Sequence, residues 1–182
     1  LPGVQQVHAL DVADMDGNGY NDITIARETS TSFQGFKQTL QIQKRVFSAI
    51  QNHIPSSSSE SFEVDDVPAL ATAHLIDELD PQPRVPEIVA VSGNLNNVQI
   101  LRREDKTPDV KESYKTLDTA FSTAGGPPRA TSLVGRNPQC VLVTNLNGDD
   151  HPDIVVINQD SGNVTVFLAF ASGQSFRVSE PL

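Results

Sequence analysis

Two stretches of this sequence place oxygen-bearing side chains at alternate positions of a tight, glycine-containing loop. The first is Asp14-x-Asp16-x-Asn18-x-Tyr20-x-Asp22. It offers side-chain oxygens at loop positions 1, 3, 5 and 9 and the backbone carbonyl of Tyr20 at position 7. A hard cation such as calcium takes about six to eight oxygen ligands, and alternating side chains on a short loop converge on one point. Gly17 and Gly19 allow the backbone angles such a turn needs. The helix–loop–helix calcium site would require a bidentate Glu at position 12, and that position is Ile25, in a strand-like run. The second stretch runs from Asn145 through Asn147, Asp149 and the carbonyl of His151 to Asp153. It has fewer carboxylates, so weaker binding is expected. Its position 6 is Asp150 where the first loop has Gly19, a place Asp tolerates better than most residues. The alternative for both loops is a cluster of Asx turns that closes on itself without an ion.

Each loop sits between two apolar runs, so the elements that must position it are short strands. A weaker copy lies between them, with Asp77, Asp80 and Glu87 around a stretch interrupted by Pro81, Pro83 and Pro86; no metal is expected there. Glu87 falls almost midway between Asp22 and Asp153, which marks an internal repeat. The tails agree as well: Glu60-Ser61-Phe62-Glu63-Val64 resembles Gln174-Ser175-Phe176-Arg177-Val178. The first copy has a longer connection before this tail. It contains Ser56-Ser57-Ser58-Ser59, a polar tract expected to be a long mobile loop.

Within the third copy, strands are expected near residues 140–144, 153–158, 164–169 and 175–178, with turns at residues 160–163 and 171–173. The middle copy should have strands at residues 87–92 and 98–102 around the turn at residues 93–97. In the first copy a third strand is expected near residues 39–46, where Leu40 and Ile42 alternate. Val46, Phe47, Ile50 and Ile54 would instead fit one helical face. The fold class is therefore all-β: about three four-stranded antiparallel units of the kind that form propeller blades. Residues 1–68 form a blade with a Ser-rich insertion, residues 69–127 a degenerate middle blade and residues 128–182 a third. Three blades leave two faces uncovered. Further blades, in the same precursor or on another chain, are the partner this predicts. The sequence opens on Leu1 rather than methionine, so a processed protein or part of a longer one is expected.

The segments Asp14-Met-Asp-Gly-Asn-Gly-Tyr-Asn-Asp22-Ile-Thr-Ile and Asn145-Leu-Asn-Gly-Asp-Asp-His-Pro-Asp153-Ile-Val-Val resemble the FG-GAP/VCBS repeats of integrin-alpha-type β-propellers. The resemblance is strong at residues 7–28 and 139–178 and weak between them. It implies a propeller of typically seven blades with calcium bound between the first two strands of a blade. It implies Asp14, Asp16, Asn18, Tyr20 and Asp22 as ligands of one ion, and Asn145, Asn147, Asp149, His151 and Asp153 as ligands of a second. It also implies an extracellular or cell-surface protein concerned with adhesion, with a protein or glycan ligand, or with scaffolding. Asn145 at position 1, Asp150 at position 6 and the broken middle loop depart from the family pattern.

Other features narrow the function classes. The net charge of −10, from 23 acidic and 13 basic residues, argues against nucleic acid and against an anionic membrane surface. No apolar run approaches the roughly 18 residues of a membrane helix, so direct membrane insertion is not expected. Trp is absent and aromatics are 5%, which counts mildly against a propeller lectin, a third reading in which sugars bind between blades. His8, His53, His74 and His151 are scattered, and no zinc-protease, serine-hydrolase or phosphate-loop motif occurs. An acid/base pair assembled in space keeps a polysaccharide lyase or hydrolase as the alternative to a non-enzymatic module. The single cysteine, Cys140, lies in an apolar run and is read as a small buried hydrophobe. Leu10-Asp11-Val12 matches an integrin-recognised tripeptide but falls in a strand expected to be buried. Asn163-Val164-Thr165 is a glycosylation sequon at a turn. Lys106 to Lys115 reads as a solvated loop and strand edge. The reading that follows is a calcium-binding extracellular module, with one or two ions and no catalytic residues.

Overall fold

The computed structural model describes residues 6–17, 19–30, 36–45, 56–64, 66–75, 85–104, 113–117, 120–122, 129–170 and 175–179. Among these residues there is no helix, and so none long and apolar enough to cross a membrane. The first sheet is an antiparallel meander of β1 (Val7–Ala13), β2 (Asp22–Ser30), β3 (Phe36–Arg45) and β4 (Ser56–Val64), hydrogen-bonded in that order. The second contains β5 (Ala69–Ala73), β6 (Glu87–Ser92), β7 (Asn97–Glu104) and β8 (Ser113–Thr116), again antiparallel in sequence order. The chain then crosses to a neighbouring sheet as β9 (Phe121–Ser122) and returns as β10 (Thr131–Leu133), which pairs with the part of β7 that β8 leaves uncovered. The third sheet is the meander β11 (Pro138–Thr144), β12 (Asp153–Asn158), β13 (Asn163–Phe170) and β14 (Ser175–Ser179), with β9 added in parallel along β14.

The three sheets are stacked. β1 lies against β5, and β5 lies against β11. This explains the composition of β6, whose six residues are all buried. Ile88 and Ala90 pack with Met15, Ala26, Val67 and Leu70 toward the first sheet, while Val89 and Val91 pack with Val141, Ile154, Val156 and Phe167 toward the third. A strand covered on both faces reads as a continuous apolar run, because neither face has water to meet. Each fully buried Val, Ile or Phe contributes about 1.5–3 kcal/mol, so these two interfaces carry most of the cohesion between sheets.

One register recurs at the start of each sheet. The last residue of the first strand opposes an acid that opens the second: Ala13 faces Asp22, Ala73 faces Glu87 and Thr144 faces Asp153. Two steps back, Asp11 opposes Thr24, Ala71 opposes Val89 and Leu142 opposes Val155.

The strands expected in the third copy are present, each starting or ending within two residues of the expectation, as are those at residues 87–92 and 98–102. The first copy's third segment is strand over Phe36–Arg45, and Val46, Phe47, Ile50 and Ile54 of the helical alternative all lie outside the described residues. Three expectations are corrected. The serine tract is not a loop: Ser56–Val64 is β4, with Ser59 opposite Gln43. Backbone pairing with β3 supplies the hydrogen bonds, and these do not depend on side-chain type. Leu10-Asp11-Val12 lies in β1 but is not buried, because Leu10 and Val12 point from the face turned away from the second sheet and are 58% and 48% exposed. Cys140 is exposed for the matching reason: in β11 it alternates with Val141, which faces the second sheet.

The crossing segment was not anticipated. Phe121 enters the core between the second and third sheets, edge-on to Phe167 at 5.3 Å between ring centroids. It is held there by paired backbone bonds with Arg129 and by the bond from Phe176 N–H to the Ala120 carbonyl.

Candidate metal centre

The loop after β1 is shaped by its own carboxylates. Asp14 at position 1 accepts the Gly17 amide at 2.8 Å on one oxygen and the Gly19 amide at 2.7 Å on the other. Gly19 has φ +83°, and a side chain there would be strained. Asp22 at position 9 is fully buried and accepts the amide of Met15, at position 2, at 2.9 Å. Met15 itself is buried between the first and second sheets, and its carbonyl accepts the Tyr114 hydroxyl of β8 at 3.2 Å. The loop is therefore tied to the neighbouring sheet. Asp14, Asp16 and Asp22 each bring a carboxylate oxygen within 4.8 Å of the other two. Among the described residues this is the only such group of three acids, histidines or cysteines. Tyr20 is exposed, and Asn18 lies outside the described residues.

Each pair of carboxylates at this separation repels by roughly 1 kcal/mol in water and by up to about 4 kcal/mol at the effective dielectric of a protein surface. Amide donors at Asp14 and Asp22 offset part of this. A divalent cation would reverse its sign. The donor set fits a hard ion, since it consists of carboxylate oxygens from one short loop. Asp14, Asp16 and Asp22 would hold it, and the ion would supply charge compensation and tie the end of β1 to the start of β2.

The loop after β11 follows the same backbone path. Asn145 at position 1 accepts the Gly148 amide at 2.7 Å, and Asp153 at position 9 is buried and accepts the amide of Leu146, at position 2, at 2.8 Å. Asp150 at position 6 takes φ +66°, as expected for the counterpart of Gly19. The side chains behave differently. The Asn147 amide donates to Asp149 at 2.8 Å, its oxygen accepts the Asp149 amide, and the other Asp149 oxygen accepts the His151 amide at 3.0 Å. The His151 amide and the Asn147 side chain hold the Asp149 carboxyl below the usual carboxylate range. Asn145, Asn147 and Asp149 are exposed and His151 is half-buried. The loop's polar groups thus satisfy one another, largely as in the ion-free Asx alternative.

The middle copy lacks a described cluster, and Asp77 and Asp80 lie outside the described residues. Glu87 keeps one feature: it is buried and accepts the amide of Leu75 at 2.9 Å, two residues past the end of β5. The acid that opens the second strand therefore makes the same bond in all three sheets. Asp153 also accepts the Ala169 amide of β13 at 2.8 Å. Sequence reasoning used this position as a repeat marker and, at Asp22 and Asp153, as a ligand, and did not anticipate its bond to the loop backbone. Its signal was available in Glu87, an acid kept where the rest of the loop pattern is lost.

At the sequon, Asn163 is half-buried with its oxygen accepting from the Asn158 side chain, and Thr165 is buried and accepts a second bond from the same amide. These groups serve the turn between β12 and β13. Comparison of the chain with protein-family models, with curated proteins and with solved structures gives no match.

Proposed function

We propose that this chain is a calcium-binding, non-enzymatic β-module that works outside the cell in adhesion or assembly, and that its three sheets are an arc of an FG-GAP/VCBS-type propeller. The observation that carries the reading is the convergence of Asp14, Asp16 and Asp22 within 4.8 Å on one loop. The recurrence of one strand register and one buried-acid bond in all three sheets supports the propeller reading. So does the side-by-side placement of β1, β5 and β11. In this reading the ion's task is structural: it neutralises the carboxylates and fixes the loop that Met15 and Tyr114 anchor to the second sheet. A site of this kind, with only three carboxylates, two of them half-buried and one buried, suits the weak affinities of extracellular modules, on the order of 10⁻⁴–10⁻³ M. Calorimetric titration of chelator-treated protein with calcium tests it. One saturable site in that range, absent in Asp14→Ala, is expected; no heat above dilution at millimolar calcium would sink the reading.

A further inference from the structure

Position 2 of the loop at residues 14–22 is held in three ways at once. The Met15 amide donates to the buried Asp22 carboxylate at 2.9 Å. The Met15 side chain is fully buried in the core between the first and second sheets, with Leu70, Ile88, Leu101 and Tyr114. The Met15 carbonyl accepts the Tyr114 hydroxyl at 3.2 Å. The first hold comes from the loop's own acid. The other two come from the second sheet, and Tyr114 supplies the one that has a direction. It does so from 99 residues further along the chain, outside any loop motif.

Met15 stands between Asp14 and Asp16, two of the three acids that converge within 4.8 Å. Its bond to Asp22 orients the peptide unit before it, and its bond from Tyr114 orients the unit after it. Peptide units are planar, so fixing both leaves the Met15 backbone little freedom and aims Asp14 and Asp16. The third loop gives the contrast. Leu146 keeps the amide bond to Asp153 at 2.8 Å, but its side chain is 50% exposed. There positions 3 and 5 close on one another through Asn147 and Asp149.

We propose that Tyr114 is a positioning residue for the ion site, and that occupancy of the loop is thereby coupled to the seating of β8 against it. The second sheet sharpens the loop for calcium, and calcium in turn tightens the seam between the first two sheets. This rests on the calcium reading above and adds that the affinity is set from the neighbouring sheet. The physical basis is preorganisation: a loop already aimed loses less freedom when it takes up an ion. Coupling between two such events is reciprocal, so each must be visible from the other.

Calorimetric titration of chelator-treated wild type, Tyr114→Phe and Thr72→Val with calcium tests the first direction. Tyr114→Phe keeps the buried ring and removes the hydroxyl. Thr72→Val removes a hydroxyl bond to Asp11 in the same seam, outside the loop. The dissociation constant should rise about threefold to tenfold in Tyr114→Phe, the share of one hydrogen bond, and stay within about twofold of wild type in Thr72→Val. The second direction is read in Tyr20→Phe, which leaves Tyr114 as the only tyrosine in a chain without tryptophan. Its emission should change with calcium and saturate at the calorimetric midpoint; this titration decides alone if Tyr114→Phe does not fold. An unchanged constant in Tyr114→Phe, or a calcium-silent Tyr114, overturns the coupling and leaves the calcium reading intact. Equal weakening in Tyr114→Phe and Thr72→Val also overturns it, since affinity would then follow the general stability of the seam. A wild type that takes up no calcium overturns the reading on which the coupling rests.

Discussion

In the loop at residues 14–22, the position-1 Asp takes two amide protons and three carboxylates still face one another; in the loop at residues 145–153, an Asn takes one amide proton and Asn147 donates into Asp149. The backbone is almost the same in both. Both place a buried acid under position 2, and both pass through positive φ at position 6. What differs is how each loop handles charge. The first gathers three carboxylates whose mutual repulsion a cation would relieve, whereas the third pairs Asp149 with the Asn147 side chain and the His151 amide. The loop path and the ion site are therefore separable. Glu87 makes the same point, because it keeps the buried bond to Leu75 although the middle loop has lost the alternating pattern.

The largest effect should come from the part the loops share. Asp153→Ala removes the acceptor of both the Leu146 and the Ala169 amides. Leaving two such donors without an acceptor costs about 2–5 kcal/mol. Urea unfolding should give that loss equally with calcium and with chelator. A loss seen only with calcium would mean that Asp153 acts as a ligand and not as a brace.

The next effect separates the two loops. At calcium ten times its dissociation constant, one site stabilises the fold by about 1.4 kcal/mol, or roughly 3–6 °C for a chain of this size. Asp16→Ala should abolish this rise in melting temperature and Asp149→Ala should leave it intact. The reverse pattern would place the ion in the third loop.

A smaller change should turn one loop into the other. Asn147→Asp removes the amide that donates to Asp149 and adds a third carboxylate beside Asp149 and Asp153. In chelator the variant should be less stable by about 0.5–1.5 kcal/mol, the usual net value of a hydrogen bond. In millimolar calcium a second binding event should appear by calorimetry. One binding event with unchanged stability would show that charge is not what distinguishes the loops.

The smallest effect concerns protons. Because the Asp149 carboxyl lies below its ordinary range in the folded state, its contribution to stability is present above the ordinary carboxylate pKa and is lost as pH falls through the lower, folded-state value. In Asn147→Ala the group should titrate closer to the ordinary value, since one of its two main donors is gone. Carbon-detected NMR of the Asp149 carboxyl against pH would read the change, and an unmoved midpoint would leave the His151 amide as the sole cause.

Much of this was legible in the residues. Short apolar runs bounded by turn residues located the strands of the third sheet, because β-rich runs between Gly, Asn, Asp and Ser clusters favour strands joined by tight turns. Positions 4 and 6 of each loop were identified by Gly17, Gly19, Gly148 and Asp150, all of which take positive φ. The near-even placement of Asp22, Glu87 and Asp153 marked three positions that do share one register. Other features were not legible, for definable reasons. Strand β4 begins at Ser56 because β3 pairs with it, and a serine tract carries no sign of its partner. The short strands β9 and β10 are too brief for periodicity, and only their neighbours give them a sheet to join.

The sequence by itself determined the strand-forming pattern, the loop chemistry and the recurring acid, since these depend on residues close along the chain. Only the tertiary structure decided which apolar faces are covered. Leu10 and Ile157 look like Leu70 and Val91 in sequence, yet the first two are exposed and the last two are buried. Burial depends on the sheet that lies opposite, and that sheet is distant along the chain.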